Sequence, residues 1–145
     1  MQRRSYSEIM IGEIAEFKRT IQEADIEKFA EISGDYNPIH MDEDFAQKTL
    51  FKNRIAHGAL TTSYFSKIIA MDLLGPGTIL LSHNFRFKKP VRINDTIIAK
   101  VEVLKKDDSK KRITLRTTCQ NQHNELVIEG EVLVMLMKAN FGDEM

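Results

Sequence analysis

The sequence predicts an α+β protein in which an antiparallel sheet wraps around one long buried central helix. Segment 57–74 is apolar around nearly its whole circumference, which is typical of a buried helix. After Gly75-Pro76-Gly77, apolar and polar residues alternate along most of the chain, which is typical of antiparallel strands. Strands with one apolar face can cover such a helix, and the helix fills the face that they present.

Length and composition favour one ordinary globular domain, which we predict to span residues 1–145. Lys and Arg number 21, as do Asp and Glu, so the net charge is zero. This balance predicts no binding to nucleic acid or to a membrane. A single Cys excludes an intramolecular disulfide and a Cys-based zinc cluster, and it suits the reducing cytoplasm, where we expect the protein. We predict neither a signal peptide nor a membrane-spanning segment.

The chain before the long helix predicts a strand and short helices. Residues 12–21 form a weak strand pattern, and helical spacing begins at Glu23. Gly34 is well placed to end that helix in the left-handed conformation. Residues 35–41 are expected to form a loop, and Asp42 can cap a short helix after it.

Four alternating stretches predict the remaining strands, with turns at 107–109 and 123–124 between the last three. In the last strand Leu133, Met135 and Met137 make the second face apolar, so we expect that end of the sheet to meet another subunit. The first stretch is expected to turn one common face inward, formed by Ile79, Leu81, His83, Phe85 and Phe87.

An acid and an imidazole, Asp35 and His40, lie five residues apart with the stiff Pro38 between them. This pair can perform general acid–base chemistry on water, with one group accepting a proton while the other donates or orients one. Gly, Asp, Asn and Pro are also the commonest turn residues, so the loop taken alone favours a plain turn.

The start of the long helix, His57-Gly58, offers a second chemical feature. First-turn N–H groups are unpaired, and Gly58 allows an oxygen that gains negative charge to approach its N–H closely. Gly58 also suits a plain helix start. Thr62 and Ser66 follow Gly58 on the same helix face. The Ser66 hydroxyl can support a catalytic side chain or bond to its own helix carbonyl.

The other polar candidates carry weaker signals. His83 and Cys119 fall on apolar strand faces and are predicted to be core residues. His40 and His57 lack the spacing of a metal cage, so no metal is expected. A basic cluster formed by Arg86, Lys88 and Lys89 suits either a solvated strand edge or contacts to phosphates.

Taken together, these motifs resemble a known family. The string Phe29-Ala30-Glu31-Ile32-Ser33-Gly34-Asp35-Tyr36-Asn37-Pro38-Ile39-His40, with Ala46 after it, resembles the signature of the MaoC-like (R)-specific enoyl-CoA hydratases. Ile55-Ala56-His57-Gly58-Ala59-Leu60 and Phe85-Arg86-Phe87-Lys88-Lys89-Pro90-Val91 resemble its next two motifs, so the likeness covers about residues 10–138. Asn94-Asp95 stands where members often have Gly-Asp, and Asn tolerates the left-handed conformation.

The resemblance implies the hot-dog fold and a homodimer with a substrate tunnel near the subunit interface. It implies reversible syn addition of water to a trans-2-enoyl-CoA, which gives an (R)-3-hydroxyacyl-CoA. Asp35 and His40 would hold and activate the water, Gly58 would supply the oxyanion N–H, and Ser66 would support the site. No metal or redox cofactor is implied, since coenzyme A is part of the substrate. To substrate binding we assign Asn37, His57, Arg86 and Lys88.

Three alternatives stay open from the sequence. A dehydratase of acyl-carrier-protein thioesters would use the same acid–base pair. A hot-dog thioesterase needs a carboxylate on the central helix, where only Asp72 is available, in the last turn. A non-catalytic acyl-CoA-binding dimer would have no use for Asp35 and His40 together.

Overall fold

The computed structural model describes residues 3–137, and the order of its elements confirms the α+β class. Residues 1–2 and 138–145, which the predicted single domain also includes, lie outside the described residues. A short 3₁₀ turn precedes the sheet and helices. The elements are β1 (Ile14–Thr20), α1 (Glu23–Ser33), α2 (Pro38–Met41), α3 (Glu43–Gln47), α4 (Gly58–Lys67) with a π-helical continuation (Ile68–Leu73), β2 (Thr78–Phe87), β3 (Thr96–Asp107), β4 (Arg112–Gln120) and β5 (Leu126–Leu136).

The five strands form one antiparallel sheet in the order β1-β3-β4-β5-β2, and α4 packs on its inner face. Phe65 and Ile68 of the helix share one core with Val101 and Leu115 of the central strands, all at most 1% exposed. Cys119 is also buried, as predicted. Burial raises the pKa of its thiol to about 12, so it is not a nucleophile.

The short helices depend on local capping. Gly34 ends α1 with a φ of 78°, as predicted. The expected loop over residues 35–41 is wrong in its second half, because Pro38 is the first residue of α2 and the Asn37 side chain accepts the N–H of Ile39. Asp42 caps α3 as predicted, and Asn94 has the left-handed φ of 72° that its turn requires.

The face assignment of β2 is partly wrong because a bulge lies between Leu80 and Ser82. Leu80 and His83 pair with the buried Val134 and Val132, so they face inward in place of Ile79 and Leu81. His83 is exposed and does not belong to the core, because β2 is an edge strand.

Burial of α4 is one-sided, which corrects the expectation of a helix covered all round. Leu60 and Phe65 face the sheet, whereas Ala59 and Ser66 are exposed. Of the predicted apolar patch, Leu133 and Met135 on β5 are half-buried, whereas Met137, just after β5, is 40% exposed. No helix among residues 3–137 has the length and apolar character needed to cross a membrane.

Candidate active site

Two segments that are distant along the chain meet beside the start of α4. One is the loop between α1 and α3, and the other is the stretch that leads into α4. The N–H of Ile55 donates to the carbonyl of Ile39 (3.2 Å), and the Arg54 Nε–H donates to the carbonyl of His40 (2.6 Å). A third bond runs from His57 Nε2–H to the carbonyl of Asp35 (2.9 Å). These bonds fix the loop that carries the predicted acid–base pair.

Asp35 is exposed but firmly oriented. Its N–H donates to Ser33 Oγ (3.1 Å), and its Oδ1 accepts the N–H of Asn37 (3.1 Å). The second carboxylate oxygen is directed by these bonds and is available to water. The structure uses the Asn37 side chain as the cap of α2, and its predicted contact with substrate remains a prediction.

His40 is half-buried, and one hydrogen bond determines its tautomer. Its Nδ1–H donates to the carbonyl of Ile55 (2.8 Å), so the neutral ring carries its lone pair on Nε2. Burial lowers the pKa of His40 below its ordinary value, and the nearby His57 acts in the same direction. The bond to Ile55 and the carboxylate of Asp35 oppose this shift without reversing it. His40 is therefore neutral near pH 7.

Asp35 and His40 are close enough to share one water. Asp35, His40 and His57 each offer one atom, and these atoms lie within 4.8 Å of one another. A water that makes two hydrogen bonds of ordinary length spans such a gap.

The same three side chains are the group of potential metal ligands found among residues 3–137. The two imidazole rings are stacked, with centroids 4.0 Å apart and planes 30° apart. His40 Nδ1 and His57 Nε2 are already bonded to backbone carbonyls, which leaves one nitrogen on each ring. The expected absence of a metal stays a prediction.

His57 was predicted to contact substrate, but the structure buries it beneath the loop. His57 is only 2% exposed, and its imidazole ring lies between the rings of His40 and Phe29. It contacts both members of the predicted pair and does not line the cavity that opens beside His40.

A cavity of about 520 Å³ opens beside His40 and the start of α4. We call it the His40 cavity. A Cβ added to Gly58 would lie 2.5 Å from the ring of Phe87, so a larger residue there would require that exposed ring to move. The His57 side chain does not cap α4, which leaves first-turn N–H groups for a ligand. The walls are formed by His40, Phe51, Ile55, Ala56, Gly58, Thr61, Phe87, Lys88, Lys89, Pro90, Val91 and Ile128.

Ser66 does not line the His40 cavity. It lies eight residues after Gly58, about 12 Å along the helix, and lines a second cavity of about 340 Å³ with His83 and Ile69. Thr62, on the same helix face, bonds back to the carbonyl of Ala59 (3.1 Å). Within one protomer, the structure therefore does not bring Ser66 to Asp35 and His40.

Arg86 and Lys88, the two basic residues predicted to bind substrate, lie at different places in the structure. Lys88 lines the His40 cavity and pairs with Glu129 (3.3 Å). Arg86 lies on the outer face of the sheet, in a groove with Arg116 and Glu131, because Phe85 and Phe87 on either side of it face inward. In one protomer Arg86 is thus on the wrong face to contact a ligand in the His40 cavity.

Arg54 and Ile55 bond to the predicted acid–base loop, and the sequence alone gave neither of them a role at the site. Arg54 is 8% exposed, and its Nη1 also pairs with Glu23 Oε1 (2.7 Å). Ile55 acts through its backbone carbonyl, which leaves no side-chain signal.

The chain is similar to known proteins over most of its length. Residues 9–125 match the model of the MaoC like domain. The chain is 45% identical to an (R)-specific enoyl-CoA hydratase of Rhodospirillum rubrum over 131 residues, which are 90% of each chain. It is 35% identical to a mitochondrial 3-hydroxyacyl-[acyl-carrier-protein] dehydratase of Arabidopsis thaliana, covering 88% of this chain and 78% of the relative.

A crystallised relative shares the architecture. The unliganded R-hydratase of Pseudomonas aeruginosa superposes with a TM-score of 0.85 at 41% identity, covering 92% of this chain and 86% of that one. The sheet that packs on α4 is thus the hot-dog fold. The chain belongs to the MaoC-like dehydratase family, as its motifs indicated.

The tautomer and pKa of His40 are directly measurable. We expect its ring signals in an NMR pH titration to give a midpoint below the ordinary 6.5, because protonation would place a charge in a half-buried site. Loss of the signals in His40→Ala assigns them. A midpoint at or above 6.5 would contradict this electrostatic description of the site.

Proposed function

We propose that this protein is an (R)-specific enoyl-CoA hydratase, which also catalyses the reverse dehydration of (R)-3-hydroxyacyl-CoA. The observation that carries the proposal is the Asp35–His40 pair, held within the span of one water beside a cavity that Gly58 also lines. The named activities of relatives that share most of the chain support the same reaction.

The geometry favours a division of labour between the two side chains. His40 Nε2 accepts a proton from water while the hydroxyl oxygen bonds to C3 of the enoyl group. Asp35 accepts the water's other hydrogen bond and so fixes its orientation. The C2=C3 electron pair shifts toward the thioester oxygen, where the Gly58 N–H stabilises the charge. His40 then returns the proton to C2 on the same face, which gives syn addition.

No metal or redox cofactor enters this proposal, since the thioester itself stabilises the charge at C2. Lys88 and the neighbouring Lys89, at the wall of the His40 cavity, are placed to contact phosphates of the coenzyme A part of the substrate. Ser66 lines the second cavity, and its predicted role in supporting the catalytic side chains stays a prediction. The buried Cys119 is consistent with the proposed cytoplasmic location.

A dehydratase of acyl-carrier-protein thioesters is the second candidate, and the Arabidopsis relative favours it. It would use the same residues on a different carrier. The thioesterase is disfavoured, because Asp72 lines neither of the two apolar cavities and its carboxylate pairs with Lys67 (2.7 Å).

Loss of absorbance of the conjugated thioester of crotonyl-CoA tests the proposal. Asp35→Asn and His40→Ala should each lower kcat by roughly 10²- to 10⁴-fold, the usual range for an acid–base group. The double variant should lose much less than the product, because both side chains act on one water. A folded Asp35→Asn protein within a few-fold of wild type would show the loop to be a plain turn.

We also propose that the protein is a homodimer, in which β2 meets a second copy. This strand is at the sheet edge and carries exposed apolar residues on both faces. Leu80 is 54% exposed, Phe87 58% and Ile79 38%, whereas Leu133 and Met135 are half-buried. An unpaired apolar edge favours association, so the contact predicted for β5 is expected to centre on β2.

Light scattering at micromolar concentration should give about twice the 16.7 kDa of one chain. Leu80→Lys should shift the mass toward a monomer, because it places a charge on the apolar edge. The matched control Leu50→Lys changes an equally apolar residue, 82% exposed and far from β2 in sequence, and should leave the mass unchanged. A wild-type monomer at these concentrations would refute the dimer.

A further inference from the structure

His57 contacts both members of the acid–base pair, yet the proposed reaction gives it no part. Its Nε2–H donates to the carbonyl of Asp35 (2.9 Å), and its ring stacks on that of His40 with centroids 4.0 Å apart. The ring of Phe29 covers another side at 4.8 Å. The imidazole of His57 is thus held in place and packs against the loop that carries Asp35 and His40.

Packing alone does not explain a histidine at this position. Its Nδ1 is buried and has no hydrogen-bond partner among residues 3–137, which is destabilising. A phenylalanine would fill the same space and make the same stacking contact without an unpartnered nitrogen. What the histidine adds is the N–H that holds the carbonyl of Asp35.

We propose that His57 is a positioning residue for the hydration reaction, which sets the distance and orientation between Asp35 and His40. The inference rests on the proposed function. The bond to the backbone carbonyl of Asp35 fixes the main chain of this residue, whose side-chain carboxylate accepts the N–H of Asn37. The ring contact fixes the plane of the His40 ring. Small displacements of such a pair are sufficient to lower a rate by up to about 10²-fold.

Two substitutions separate the donor from the ring. His57→Phe keeps the stacking contact and removes the N–H, whereas His57→Gln keeps an N–H donor and removes the ring. With crotonyl-CoA, His57→Phe should lower kcat by about 10- to 100-fold and change KM by less than about twofold. Its thermal midpoint should equal or exceed that of wild type, and His57→Gln should recover part of kcat.

Thr117→Val is the matched control. Like His57, Thr117 is buried and has a polar side-chain atom without a hydrogen-bond partner in the described chain, but it lies on β4. This substitution should leave kcat unchanged. A kcat of His57→Phe within twofold of wild type would overturn the proposal. So would a loss confined to KM, or an equal loss in both His57 variants together with a lower midpoint.

Hydrogen exchange gives a readout that does not depend on activity. In His57→Phe, the amides of Asn37 and Ile39 should exchange faster than in wild type, because both belong to the loop that His57 holds. Thr117→Val should leave them unchanged. Unchanged exchange in His57→Phe would overturn the positioning role. If the wild-type protein is inactive, the proposed function is refuted. The hydrogen-exchange result then still tests whether His57 holds the loop.

Discussion

The hydrogen bond from His40 Nδ1–H to the carbonyl of Ile55 determines what the rest of the site is able to do. It commits one ring nitrogen to the backbone and leaves the lone pair of the other for chemistry. Partial burial keeps the ring neutral, so that lone pair is available near pH 7. Without this bond, the ring could rotate or exchange tautomers, and the pairing with Asp35 would lose its direction.

The fold supplies that bond by joining two motifs that lie 15 residues apart along the chain. Gly34 turns the chain out of α1, and Asn37 and Pro38 start a second short helix that carries His40. The segment before α4 then crosses the loop and bonds to it through Arg54, Ile55 and His57. The sheet contributes mainly by holding α4 in place, and its Phe87 packs against Gly58.

Local features were predictable from the sequence because their causes are local. The helix stop at Gly34, the cap at Asp42 and the turn at Asn94 each follow from one residue's backbone or side-chain preference. The proximity of Asp35 and His40 was also predictable, because their spacing and flanks are distinctive. Its electrostatics could not be derived, because they depend on a carbonyl that reaches the loop from a separate segment.

Errors arose where a residue's position depends on distant neighbours. A bulge in β2 reverses the side-chain alternation, so the prediction that Ile79 and Leu81 face inward was wrong. His83 is exposed because β2 is an edge strand. Arg86 lies on the outer face of the sheet, away from the His40 cavity. His57 was predicted to contact substrate, but its ring is buried between those of His40 and Phe29.

In the proposed reaction, one water held by Asp35 and His40 adds to one face of an enoyl thioester. The stereochemistry of the product tests this most directly. Crotonyl-CoA is incubated with the enzyme, and the product is offered to dehydrogenases specific for (R)- or (S)-3-hydroxyacyl-CoA. We predict turnover with the (R)-specific dehydrogenase alone. Turnover only with the (S)-specific enzyme, or release of free thiol without hydration, would contradict the account.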